Sequence, residues 1–87
     1  MSRPFLSGNA ISFLMRRHAV TIRELHQRMA LTMRRVREVR GRGVLDRTVA
    51  RHWIEAITGH DPGAHTQAYC DAIERVLQGR RTGKPRS

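Results

Sequence analysis

The sequence predicts an all-α fold, a compact bundle of about five short helices, on three observations. Apolar residues recur at helical spacing, as in Ile11, Leu14, Met15 and His18 at offsets of zero, three, four and seven. Cap-forming residues precede such stripes, and glycines follow several of them. The composition is 39% hydrophobic and only 5% aromatic, enough for a small helical core but short of the Val, Ile and aromatic content of a sheet sandwich. A chain of 87 residues makes one small domain, too thin for a deep cleft between two lobes.

Residues 1–8 contain Pro4 and Gly8 and read as an irregular arm, after which Asn9 caps a helix ending near His18. Thr21 and Glu24 form a capping box: the Thr21 hydroxyl accepts from the Glu24 amide while the Glu24 carboxylate accepts from the Thr21 amide. The helix they open carries Ile22, Leu25, His26 and Met29 on one stripe and breaks at Ala30-Leu31-Thr32. Thr32 caps a third helix with Val36 and Val39 inward, closed by Gly41-Arg42-Gly43. Asp46 caps a fourth, in which Val49, Ala50, Trp53, Ile54 and Ile57 form the apolar stripe and Gly59 the left-handed stop. Asp61-Pro62 opens a fifth, with Ala68, Tyr69, Ala72, Ile73, Val76 and Leu77 inward and Gly79 at its end. The domain is thus expected over residues 9–79, followed by a disordered basic tail over 80–87 that has no apolar side chain.

Charge narrows the choice of partner. Seventeen basic residues oppose seven acidic ones, a balance of +10 that points to a polyanion. Sixteen of the seventeen are Arg, whose planar fork of donors suits phosphates and guanine edges, although codon bias produces the same preference. The excess is segregated: over residues 1–52 twelve Arg face only Glu24, Glu38 and Asp46, whereas over 53–79 Arg75 stands against four acids.

Other chemistry finds little support. The single cysteine, Cys70, lies among Ala68, Tyr69, Ala72 and Ile73 and reads as a core residue, with no disulfide to form. The five histidines show no metal-ligand spacing, and no phosphate loop, nucleophile elbow or close carboxylate cluster occurs. The chain is therefore expected not to be an enzyme and to need no cofactor or metal. The apolar stretch near the N-terminus is too short to span a bilayer, so the expectation is a cytoplasmic protein with no membrane partner.

A short helix, a three-residue break and a second short helix rich in Arg make the plan of a helix-turn-helix. Ile22, Leu25, Met29, Leu31, Val36 and Val39 stand where two such helices must bury side chains to cross. Over roughly residues 11–53 the chain resembles the phage repressor and Cro type of helix-turn-helix, the Xre type. Leu25 stands at that family's buried leucine, Ala30 at its turn residue, Leu31 just after it and Val36 at the buried position of the recognition helix. Two residues depart from the pattern: Ala30 replaces the usual Gly, and His26 replaces a small Ala that lets the helices approach.

The resemblance implies an all-α bundle containing a helix-turn-helix, and a sequence-specific regulator of transcription, expected to be a repressor, of the kind carried by phages, plasmids and other mobile elements. Its partner would be double-stranded DNA, read in the major groove by the helix over residues 32–40. The candidate DNA-binding residues are Thr21, Thr32, Met33, Arg34, Arg35, Arg37, Glu38, Arg40 and Arg42. Arg34, Arg35 and Arg37 suit guanine O6 and N7, and Glu38 suits a cytosine amine or pairs within its helix with Arg34 or Arg42. Thr21 and Thr32 sit at helix starts, where amides suit a phosphate oxygen or simply close a cap. Arg40 and Arg42 belong to a loop suited to backbone contacts. Three other readings stay open: an architectural or excision-type accessory factor that bends DNA, an RNA-binding module, and an antitoxin-like helical bundle. A second copy is a further partner to weigh, through Tyr69, Ile73, Val76 and Leu77, unless those residues close the monomer's own core.

Overall fold

Four of the five helices open on a side chain that accepts a hydrogen bond from a backbone amide three residues ahead, and these local stops set the plan of the fold. A computed structural model of the chain describes residues 3–82, with side-chain surroundings as far as residue 79. The helices are α1 (Gly8–Arg17), α2 (Ile22–Met29), α3 (Met33–Arg42), α4 (Arg47–Thr58) and α5 (Thr66–Thr82), with one 3-10 turn (Gly63–His65) before α5. The fold is all-α; the one sheet-like feature among the described residues is a single antiparallel bridge between Leu6 and Val44. No helix among them is long and apolar enough to cross a membrane.

One core joins all five helices. Leu6, Ile11, Leu14, Leu25, Val36, Trp53, Ile54 and Ile57 are almost wholly withdrawn from solvent, and Phe5, Phe13, Ile22, Met29 and Leu31 pack around them. Trp53 is the largest of the buried residues, as its spacing predicts. Cys70 is buried too, and burial, followed by the charges of Asp71 and Glu74, pushes its thiol up to about 11. Such a thiol is protonated at neutral pH.

The expected plan needs several corrections. Helix α1 starts at Gly8 on a Ser7 cap, not on Asn9: the Ser7 hydroxyl accepts from the Ala10 amide at 3.0 Å and donates to Glu74 at 2.6 Å, tying α1 to α5. The arm is correspondingly part of the fold, because Leu6 is buried and exchanges backbone hydrogen bonds of 3.0 and 2.8 Å with Val44. His18 leaves the core stripe and closes α1 as an exposed C-cap. Val49 is 42% exposed, since it lies in the first turn of α4, and Ala50, Trp53, Ile54 and Ile57 carry the stripe.

A further correction concerns α5. Asp61 does not cap it; one Asp61 oxygen accepts from the Gly63 amide at 2.9 Å, and both carboxylate oxygens pair with Arg51 at 2.7 and 2.8 Å. Those Arg51 bonds, followed by the Gly63 amide, draw the Asp61 carboxyl down to about 2. Because the folded value lies below the ordinary 3.8, this clip contributes above the ordinary value and is lost only as pH falls toward 2. The helix itself starts at buried Thr66, which shifts its inward face to Thr66, Cys70 and Ile73, with Tyr69 and Leu77 half-buried. Ala68, Ala72 and Val76 are exposed instead, so of the four residues weighed for a second copy, only Val76 stands outside the chain's own core. At the far end Gly79 does not take a positive φ, and α5 continues through it to Thr82. The tail expected from residue 80 therefore begins as helix, and its remainder, residues 83–87, lies outside the described residues.

Candidate nucleic-acid interface

Helices α2 and α3 pack against each other and contribute Leu25 and Val36, both fully buried, to the core. The turn between them is set by Ala30, the C-cap of α2, whose φ of 54° and ψ of 38° place it in the left-handed region. Its Cβ makes that conformation costly, which is why glycine is favoured at such a position. Replacing Ala30 by Gly is expected to raise stability by about 0.5–1 kcal/mol and Ala30→Val to lower it, read as opposite shifts in thermal melting.

His26, the other departure from the family pattern, spans the same turn. Its Nδ1 lies 2.5 Å from the Leu31 carbonyl oxygen, which only accepts, so Nδ1 carries the proton and donates. The half-buried ring thus links the end of α2 to the residue before the next cap. Thr32 then closes the start of α3 by accepting from the Arg35 amide at 3.0 Å, leaving its own hydroxyl proton free to donate.

Helix α3 runs through Gly41 to Arg42, so Arg40 and Arg42 belong to the helix and not to the expected loop. It is held by Val36 and Val39, which face the core, and by its C-terminal end. There Gly8 approaches so closely that a Cβ on it would lie 2.5 Å from the Arg40 carbonyl oxygen and 2.8 Å from that of Gly41. The face opposite the two valines carries Arg34, Arg37, Glu38 and Gly41, and nothing stands within 4 Å of a Cβ built on Gly41. Arg34, Arg35, Arg37 and Arg42 are exposed, while Met33 and Arg40 are half-buried at its edges.

The charges divide into paired and unpaired. Glu38 pairs with Arg35, Nη1 to Oε1 at 3.1 Å, and not with Arg34 or Arg42 as four-residue spacing suggests. Arg28 is spent on the Ala56 carbonyl at 2.6 Å, tying α2 to α4, and lies 4.0 Å from Glu24. Among the described residues, Arg34, Arg37, Arg40 and Arg42 have no ion-pair partner.

Thr21 takes the capping role that its spacing to Glu24 predicts. Its amide donates to Glu24 at 2.8 Å and its hydroxyl lies 3.3 Å from the same oxygen, so the full capping box is formed and both Thr21 donors are occupied. The Thr21 amide, the largest influence, holds the Glu24 carboxyl below its ordinary range. Beside this cap lies a shallow groove of about 370 Å³ that brings Arg16 of α1 together with Arg40 of α3. Sequence spacing does not pair these two, because they come from different helices. No group of three or more His, Cys, Asp or Glu is placed to hold a metal ion among the described residues.

No family model, curated protein or solved structure matches the chain.

Proposed function

We propose that the chain is a cytoplasmic, sequence-specific regulator of transcription, acting as a repressor, that lays α3 in the major groove of double-stranded DNA. The observation that carries this reading is the outward face of α3: Arg34 and Arg37 stand there exposed and, among the described residues, without ion-pair partners, on a helix anchored from behind by Val36 and Val39. A rigid helix presenting unspent guanidinium forks is the arrangement that reads guanine edges in a groove. Thr32, Arg40 and Arg42, with Arg16 across the groove, supply phosphate contacts around it. The left-handed turn at Ala30 agrees with the resemblance to phage repressors, in which Gly usually occupies that position.

Duplex is favoured over single-stranded nucleic acid by the aromatic residues. Trp53 is buried, and Phe5, Phe13 and Tyr69 are half-buried against the core, which leaves no fully exposed Phe, Tyr or Trp ring for bases to stack on.

Arg34→Ala and Arg37→Ala are each expected to cost about 1–3 kcal/mol on a duplex selected by the protein and far less on random duplex. Arg16→Ala and Arg17→Ala, on α1, should weaken binding to both by similar factors. Filter-binding titrations on the two duplexes check this. Equal losses on both duplexes for all four variants would make α3 a charged surface only and favour the architectural reading.

A further inference from the structure

We propose that Arg35 and Glu38 act together as one reading unit for a single G·C base pair, a role that rests on the duplex reading above. Glu38 is an acid in the middle of a basic surface: it follows Arg34 by four residues and precedes Gly41 by three, so it shares their outward face. Pressed against phosphate it would be repelled, which opposes laying this face along the DNA backbone. What a carboxylate accepts from in the major groove is an amine, and the cytosine N4 amine offers one.

The pair adds geometry to that preference. Arg35 Nη1 and Glu38 Oε1 are 3.1 Å apart, a donor beside an acceptor, and the two side chains are 55% and 48% exposed. Across a G·C pair, guanine O6 and cytosine N4 are themselves hydrogen-bonded at about 2.9 Å, so an acceptor and a donor lie side by side at matching separation. Nη1 then donates to O6 while Oε1 accepts from N4. An A·T pair also offers an amine beside a carbonyl, and the next group along the edge decides between them. In G·C the N7 acceptor lies beside O6, on the Arg35 side, where further guanidinium N–H groups are available. In A·T the N7 acceptor lies beside the amine, facing the carboxylate, and the thymine methyl faces the guanidinium. Gly41, with open space around it one turn further on, allows the helix to approach closely enough for these short side-chain reaches.

The test selects bound duplexes from a random-sequence library with the 87-residue chain, its Arg35→Ala and Glu38→Ala variants, and the double variant. The pair predicts one G·C-restricted position in the wild-type profile. Both single variants relax discrimination there by roughly tenfold, the double variant no further, and the other positions hold. Melting temperatures confirm that each variant is folded. Single variants that leave every position of the profile unchanged, or that relax two different positions, overturn the reading unit while leaving duplex recognition intact. A wild-type chain that enriches no sequence overturns sequence-specific recognition itself.

Discussion

Trp53→Ala is expected to cost about 3–5 kcal/mol, the loss typical of removing a large aromatic side chain from a close-packed core. Trp53 is 2% exposed and packs in the core that the helices share, with no second hydrophobic cluster among the described residues to fall back on. A domain of this size has a total stability of roughly 4–13 kcal/mol, so the substitution removes a large share of it. Urea denaturation followed by helical circular dichroism reads the effect as a fall in the midpoint. Trp53→Phe, which keeps most of the buried ring, should lose much less.

Gly8→Ala is expected to destabilise by about 1–3 kcal/mol, although alanine is the better helix former. The new Cβ would meet the carbonyl oxygens of Arg40 and Gly41, and backbone at the end of α3 has no rotamer with which to move aside. Either α1 or α3 must shift, and a shift of α3 also moves the arginines it presents. Gly41→Ala makes the matched control, because a Cβ there meets open space; it should gain about 0.5–1 kcal/mol. Thermal melting that moves in opposite directions for these two glycines supports the close approach of α1 to α3. Equal shifts would contradict it.

What the sequence showed and what it concealed follow from the range of the forces involved. The caps at Thr21, Thr32 and Asp46 were legible because donor and acceptor lie three residues apart. The Ser7 cap has the same spacing but was masked by Asn9, a competing cap-forming residue two positions on, and by Gly8, which is demanded by the end of α3. Leu6 was hidden too: a bridge of one residue pair has no periodicity to find. In α5 the inward stripe was misplaced because the helix begins at Thr66, after a 3-10 turn, and not directly behind Pro62.

The interface divides in the same way. Val36 and Val39 fix which side of α3 faces the core, so the outward position of Arg34 and Arg37 could be read from spacing alone. The choice of Arg35 as the partner of Glu38 could not, since three- and four-residue spacings both bring side chains together on a helix. The juxtaposition of Arg16 with Arg40 depends on how α1 packs on α3, which no local pattern encodes.

Salt dependence tests most directly whether the basic half of this chain binds the phosphates of a duplex. With about six basic side chains on phosphates, log affinity for duplex DNA should fall with log salt concentration at a slope near −5, by the release of about 0.9 counterion per contact. A slope near zero, with affinity unchanged across the titration, would contradict such binding.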